Sequence, residues 1–558
     1  MNTVDLHVHS TRSDGSYTPT ELVNYAIEKG LSAFALTDHD TTAGLSEALA
    51  AAEGKDITVI PGIEFSSEYE GRDIHIVGLY IDYTSDFFKR RLEAFVNGRI
   101  IRNQEMCKRL GQHGIDITYD QLLSEFPGSV ITRAHYATYL FKYGYTKSLK
   151  EAFERYIGDH APCFVSRKKI TPMRAIEIIL KAGGLPILAH PMLYHMSGAR
   201  LDHLVSELKE VGLAGIEAIY STHSPSEERE IRKLAAKYDL LISGGSDFHG
   251  NAKPGLDLGT GYGKLFVPEE VQRGLKAFHE ERIRPPYTPL YPKIFFTDLD
   301  GTLLNSNKEI EPGTRRMLEE WTKAGHKLVL CTGRSMSSVK EVKETLHLDF
   351  PGMYLIAYNG GQIYDCDANQ EIYRVALSPI QITHVMNEAI KCGLHFHTYT
   401  DTHLITPGAD EALARYLEVI HTPVIYSTEI AVQMPEGACK CLVIDLTDHA
   451  ALERFRDAML PWAGEDVTML FSNPMFLEIF PSSSGKGNAL RTLCGLLHVP
   501  IAFSVAAGDA ENDLSMIKAA GYSIAMANGT DDIKDAATTI TPYDNDHDGL
   551  AYILQDLI

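Results

Sequence analysis

Four prolines fall within nine residues at Arg284-Pro-Pro-Tyr-Thr-Pro-Leu-Tyr-Pro292, and this segment constrains the 558-residue chain more than any other. Each proline fixes φ and removes a backbone donor, so neither a helix nor a central strand is expected to run through it. The length also exceeds what one hydrophobic core usually organises. The 44% apolar and 23% charged composition is that of ordinary globular domains, so the segment predicts a linker at 287–292 between units 1–286 and 293–558.

The longest apolar runs, such as Gly184–Ala189 and Lys327–Cys331, fall far short of the roughly 20 residues that span a bilayer. The chain opens directly on a strand-like run, Thr3–His9, with no basic stretch followed by an apolar one, which predicts a cytoplasmic protein. Eight cysteines without a C-x-x-C pair fit reduced thiols. A formal charge of −22 opposes extended nucleic-acid binding. It leaves room for small phosphorylated metabolites, nucleotides or short oligonucleotide ends, met by local basic groups such as Arg99 to Arg102 and Arg167-Lys168-Lys169.

Seven strand-like runs precede the linker, at 3–9, 32–40, 58–66, 73–80, 185–191, 215–220 and 240–247, several separated by helical stretches such as Pro19–Lys29 and Glu227–Lys237. This alternation predicts a β/α barrel, interrupted over about 85–180 by a helix-rich insertion. Imidazoles and carboxylates collect at the strand ends, where barrel loops converge. His7-x-His9 shares one strand face, Asp14 follows in the loop, and later strands end in Asp38-His39-Asp40, His190-Pro191 and Asp247-Phe248-His249. A hairpin with its turn at Glu70-Gly71 pairs Ser66 with His75 and sets Glu64 diagonally beside His75. Carboxylates gathered this densely repel one another unless a cation neutralises them. The nitrogen and oxygen donor set suits Zn, Mn or Fe.

These residues resemble the PHP (polymerase and histidinol phosphatase) domain, with its H-x-H, T-D-H, A-H-P and S-D-x-H elements. The resemblance implies a distorted seven-stranded barrel holding two or three divalent metals. Their ligands would be His7, His9, Asp14, His39, Glu64, His75, His190, Asp247 and His249, with Asp40 in support. The branch with a helical insertion looks like the nucleotide-directed phosphoesterases. Their R-P-H-x-A element stands here as Arg133-Ala134-His135-Tyr136-Ala137, and it makes Arg133 and His135 candidates for gripping a phosphate. A histidinol-phosphate phosphatase is the rival reading, against which the insertion counts.

After the linker, strand–helix alternation runs to about 360 and resumes near 485, which predicts a doubly wound, Rossmann-like core with an α/β cap inserted over about 365–478. The apolar strand Lys293–Thr297 ends in Asp298-Leu299-Asp300-Gly301-Thr302, two carboxylates two residues apart. One can attack phosphorus while the other moves the proton. Thr332-Gly333-Arg334 offers a hydroxyl and a backbone N–H for phosphoryl oxygens, and Lys486, Asp509, Asn512 and Asp513 follow later. This set resembles the haloacid dehalogenase (HAD) superfamily. The Gly508-Asp-x-x-Asn-Asp-x-x-Met516 spacing and Asn359-Gly360-Gly361 resemble its Cof-type phosphatases.

The second resemblance implies that Asp298 is the nucleophile and Asp300 the general acid/base. It places Thr332, Gly333, Lys486, Asn359 and Asn512 at the substrate phosphate, and Asp298, Asp300, Asp509 and Asp513 around Mg²⁺. In the cap, His395, His397, Tyr399 and His403 could contact substrate or line a sheet face. Together the halves predict a bifunctional phosphoesterase: nucleotides, nucleoside 3′,5′-bisphosphates or oligonucleotide ends at the first site, and a sugar or cofactor phosphate at the second. The rival from another class is a ligand-sensing module with one active half.

Overall fold

The computed structural model describes residues 3–158, 161–165, 170–282, 290–418, 420 and 422–558. Residues 287–289 of the expected linker and the basic Arg167-Lys168-Lys169 lie outside the described residues, as does the side chain of Arg99. Two compact units emerge, Met1–Leu290 and Tyr291–Ile558.

In the first unit β1 (Thr3–Val8), β2 (Leu31–Leu36), β3 (Thr58–Tyr69), β4 (Arg72–Leu79), β5 (Leu185–Leu188), β6 (Gly215–Tyr220) and β7 (Leu241–Gly245) lie side by side in chain order. The sheet nearly closes into a barrel, because just past β7 the Asp247 N–H donates to His7 and the His9 N–H donates to Phe248, both at 2.9 Å. The barrel is not uniformly parallel: β4 runs against both β3 and β5. The cause is local. Glu70 and Gly71 both adopt positive φ (50° and 73°), which suits a two-residue hairpin turn and reverses the chain without a crossover helix. The resulting register pairs Ser66 with His75. Period two puts Val4 and Leu6 on the apolar face of β1 and leaves Asp5, His7 and His9 on the other.

Helices Asp86–Gln112, Tyr119–Glu125 and Arg133–Lys142 form a subdomain around their own core of Met106, Leu110, Leu122, Tyr136 and Leu140. The next helix, Pro172–Lys181, instead buries Ala175, Ile176 and Ile179 against the barrel wall. There Ile179 lies where a Cβ on Gly78 would approach it to 2.9 Å. The insertion therefore ends before Pro172, and the last stretch of the expected 85–180 segment belongs to the barrel.

The second unit contains β8 (Ile294–Thr297), β9 (Lys327–Cys331), β10 (Met353–Ala357), β11 (Gln362–Asp365), β12 (Gln370–Arg374), β13 (His395–Tyr399), β14 (Leu404–Thr406), β15 (Val424–Tyr426), β16 (Cys441–Ile444), β17 (Val467–Asn473), β18 (Phe476–Pro481), β19 (Ser504–Gly508), β20 (Tyr522–Ala525) and β21 (Thr539–Ile540). The core sheet has the order β12-β11-β10-β9-β8-β19-β20-β21, and the cap sheet β15-β14-β13-β16-β18-β17. Strands β8, β9, β10 and β19 are parallel and largely buried, hence their mostly apolar sequences. The β11–β12 hairpin extends the core sheet, so the cap sheet begins after Arg374 and ends at Pro481.

Trp321 is fully buried against Phe295, and its indole N–H donates to the Lys327 carbonyl at 2.8 Å. Trp321→Ala should therefore destabilise this unit by about 3–5 kcal/mol. Calorimetry on the full chain should show one transition shifted down and the barrel transition unmoved. No described helix is long and apolar enough to cross a membrane.

Candidate active sites

The barrel site is organised around Glu64, fully buried on β3. Its Oε2 lies 3.2 Å from His7 Nε2, 3.2 Å from His9 Nε2 and 3.1 Å from His39 Nδ1. Its Oε1 lies 2.8 Å from His75 Nδ1 and 3.1 Å from His190 Nε2. Asp14 approaches His249 Nε2 to 3.2 Å, and Asp247 lies 3.3 Å from His9 Nε2. The nine residues singled out by sequence thus converge from the two strands of the hairpin and the ends of β1, β2, β5 and β7.

Their donor atoms gather into overlapping groups within 4.8 Å: His9, Asp14, His39 and His249; His7, Glu64 and His190; His7, His9 and Asp247; His39, Glu64 and His75. Many of these atoms are buried without a hydrogen bond, namely His7 Nε2, both His9 nitrogens, Asp14 Oδ1, His39 Nδ1, Glu64 Oε2 and His190 Nδ1. Buried polar atoms are almost always satisfied. A cluster of exceptions made of imidazole nitrogens and carboxylate oxygens fits divalent cations, and this donor set suits Zn, Mn or Fe.

The electrostatics are consistent with that fit. Burial would raise the Glu64 pKa, but His39, His7, His75 and the His190 hydrogen bond hold it well below the carboxylate range. Burial pushes His39 down to about 3 despite Glu64 and Asp14, which leaves a neutral imidazole with a lone pair to offer. At His7 burial is outweighed by Glu64, Glu217 and Asp247, and its pKa rises.

Several partners were not singled out by sequence. Glu217 on β6 lies 3.2 Å from His7 Nδ1 and accepts the His190 N–H at 2.7 Å. Tyr220 donates to Asp247 at 2.8 Å, and Lys253 pairs with the same carboxylate at 2.5 Å. Such partners orient ligands and set their basicity. Glu217 did leave a signal, a lone carboxylate in the apolar Gly215-Ile-Glu-Ala-Ile-Tyr220; Tyr220 and Lys253 left none. Asp40 Oδ1 accepts the Ser66 N–H at 3.0 Å and so braces the hairpin. His190 and Asp247 both sit at positive φ (27° and 57°), a strained backbone of the kind found at functional sites.

His135 joins none of these groups. His135 is the third residue of its helix, and its Nδ1 accepts the Thr132 N–H at 2.9 Å in a capping box. Arg133 lies over Phe164 and 3.8 Å from Asp73 at the foot of β4. The insertion is tied to the barrel rim where Val130 N–H donates to the Arg12 carbonyl at 3.0 Å.

In the second unit, parallel strands β8 and β19 bring Asp298 and Asp509 together, and the helix Lys486–Leu496 adds Lys486 at its first position. Lys486 is fully buried and donates to Asp298 at 2.5 Å and Asp513 at 2.6 Å. Asp298, Asp509 and Asp513 offer oxygens within 4.8 Å of one another. Burial and the neighbouring Asp513 and Asp509 raise the Asp298 pKa against the pull of Lys486. Three carboxylates facing one ammonium leave negative charge unbalanced, which a hard dication such as Mg²⁺ fits.

Thr302 donates to Asp509 at 2.7 Å, and a Cβ at Gly301, whose φ is 82°, would meet the same carboxylate at 2.6 Å. Asp513 accepts the Asp509 and Ala510 N–H groups, with Asn512 beside it in the turn. Thr332 is buried at the end of β9. Asn359, held at φ 54°, packs against Gly333 and donates to Glu478 at 2.5 Å. Asp300 stands apart from the carboxylate group: Arg334 grips it with two donors at 2.6 and 2.9 Å and Lys308 adds a third at 2.8 Å. Burial would raise its pKa, but these cations keep it low. Arg334 was legible only as part of the Thr-Gly-Arg string, and Lys308 not at all.

Comparison with known proteins divides along the same line. The PHP domain family matches residues 5–158, and the haloacid dehalogenase-like hydrolase family matches residues 295–554. A 5′-3′ exoribonuclease of Haemophilus influenzae is 40% identical over 245 residues, 44% of this chain and 89% of that protein. A 3′,5′-nucleoside bisphosphate phosphatase of Chromobacterium violaceum is 34% identical over 46% of this chain and 91% of its own length. A Bacillus subtilis protein with a phosphatase name, YxeH, is 32% identical over 48% of this chain and 98% of its own length. Each relative is matched almost end to end by about half of the chain, so the chain belongs to two families, the PHP-domain phosphoesterases in its first half and the haloacid dehalogenase-like hydrolases in its second, and is a hydrolase of phosphoric esters.

Proposed function

We propose that the barrel half removes phosphate from nucleotides, nucleoside 3′,5′-bisphosphates or oligonucleotide ends, and that the second half dephosphorylates a small metabolite through an aspartyl-phosphate. The observation that carries the first reading is the convergence of five histidines on the buried Glu64, with the facing nitrogens of His7, His9 and His39 unsatisfied. The names of the Haemophilus and Chromobacterium relatives support nucleotides as the substrate class. The helical insertion beside the rim, with Arg133, is the element that would recognise them.

In the barrel His7, His9, Asp14, His39, Glu64, His75, His190, Asp247 and His249 would hold the metals. Bound cations there supply Lewis acidity toward phosphoryl oxygens and lower the pKa of water. Glu217 keeps His7 and the His190 backbone in place, while Lys253 and Tyr220 aim Asp247. In the second half Asp298 attacks phosphorus and Asp300 protonates the leaving oxygen, then takes a proton from the water that cleaves the aspartyl-phosphate. Asp298, Asp509 and Asp513 would hold Mg²⁺, which offsets charge on the phosphoryl group. Lys486, Thr332 and the Gly333 N–H bind phosphoryl oxygens. Because Arg334 and Lys308 hold Asp300 ionised, an incoming phosphate that draws Arg334 away also frees Asp300 to carry a proton.

Phosphate release by the full chain from nucleotides, bisphosphates and sugar phosphates tests the division. His9→Ala should lower the nucleotide and bisphosphate rates by more than about 100-fold and spare the sugar-phosphate rate. Nucleotide turnover that survives in His9→Ala refutes the assignment of the barrel site.

A further inference from the structure

The cap contains a row of polar side chains, buried at His395, His397 and Tyr399, that the chemistry above does not use. Strand β13 alternates His395, Phe396, His397, Thr398 and Tyr399, so the two imidazoles and the phenol share one face. His395 Nδ1 lies 2.7 Å from Asp410 Oδ2, and His395 Nε2 lies 2.8 Å from His397 Nδ1. His397 Nε2 lies 2.8 Å from Tyr399 Oη, which lies 2.6 Å from Tyr416 Oη. The row ends at Tyr416, which with Arg334, Lys440, Phe476 and Glu478 lines a cavity of about 540 Å³ reaching Asp300.

Counting protons gives the row a direction. The Asp410 carboxylate only accepts: one oxygen caps the helix Glu411–Leu417 by taking the Leu413 N–H at 2.8 Å, and the other takes the proton on His395 Nδ1. A neutral imidazole has one N–H and one lone pair, and burial keeps both histidines toward the neutral form. His395 Nε2 is then a lone pair and accepts from His397 Nδ1–H. His397 Nε2 in turn accepts from the Tyr399 hydroxyl, and the Tyr399 oxygen accepts from the Tyr416 hydroxyl. Every proton points toward Asp410, and Tyr416 has spent its own.

We propose that Tyr416 is a specificity-determining residue of the second half: its oxygen, with its proton committed to the row anchored at Asp410, offers the cavity only lone pairs and selects phosphate esters whose leaving group carries a hydroxyl or N–H there. Esters with an ether or carbonyl oxygen in that place are rejected, because two acceptors would face each other. The proposal rests on the reading of this half as a phosphatase whose leaving group enters the cavity.

Two measurements test it. In the full chain labelled with ¹⁵N-histidine, long-range ¹H–¹⁵N spectra near neutral pH should show both residues as Nδ1–H tautomers, identified by their loss in His395→Gln and His397→Gln. An Nε2–H tautomer at either reverses the row and overturns the proposal, and this readout needs neither turnover nor a folded Tyr416 variant. The second is turnover of sugar phosphates matched as a free hydroxyl and its O-methyl ether. The wild type should prefer a hydroxyl member by about 10-fold or more in kcat/KM, and Tyr416→Phe should bring that ratio close to one. A ratio unchanged in Tyr416→Phe overturns the assignment. If the wild type turns over none of the esters, the phosphatase reading of this half fails, and the specificity assignment with it, whatever the tautomers show.

Discussion

Asp298→Asn is expected to lower sugar-phosphate turnover by about 10⁴-fold or more while leaving nucleotide turnover at the barrel site intact, the scale seen when a covalent nucleophile is removed. The amide is nearly isosteric, so the fold is retained, and it still has an oxygen to accept from Lys486, which donates to Asp298 at 2.5 Å and to Asp513 at 2.6 Å. It lacks the anionic oxygen that attacks phosphorus. Rapid quenching after mixing with a ³²P-labelled ester should trap an acid-stable phosphoenzyme in the wild type and none in the variant. A phosphoenzyme that still forms in Asp298→Asn would place the nucleophile elsewhere.

Glu64→Gln should have the second largest effect, a loss of more than about 100-fold in both metal retention and nucleotide turnover. Changing partners that merely orient ligands already costs 10–100-fold, and Glu64 faces His7, His9, His39, His75 and His190 directly. The charge that offsets the surrounding imidazoles and cations disappears, and an amide nitrogen is turned into a cluster of lone pairs. Elemental analysis of the purified variant should find metal depleted relative to wild type, and the barrel's thermal transition should drop toward that of chelator-treated wild type. Full metal occupancy in Glu64→Gln would show that Glu64 braces the histidines and binds no metal itself.

Much of both sites was legible because strand ends carry short, dense strings. Asp38-His39-Asp40, Asp247-Phe248-His249 and Asp298-Leu299-Asp300 each combine an apolar run with groups that are costly to bury unless they have partners. The hairpin register was legible too, since a two-residue turn leaves one way to pair Ser66 with His75. The β11–β12 hairpin illustrates the opposite case. Its strands look alike whether they extend the core sheet or open the cap, and edge pairing chose the core. Helix Pro172–Lys181 was likewise assigned to the insertion on composition, whereas its apolar face packs on the barrel.

Local strings of residues were thus enough to predict two α/β halves, from periodicity, and to mark the strand ends where charge collects, from the cost of burying it; the resemblance to two families named the nine histidines and carboxylates of the first site and the aspartate and lysine set of the second. Tertiary contacts decided that Glu217 backs His7, that Lys253 and Tyr220 meet on Asp247, that Arg334 and Lys308 grip Asp300, and that His395, His397 and Tyr399 join Asp410 to Tyr416 in one row. Most of these partners are far from each other in the chain and carry no motif. Their meeting depends on how strands are ordered and which faces pack, and that is settled by long-range pairing.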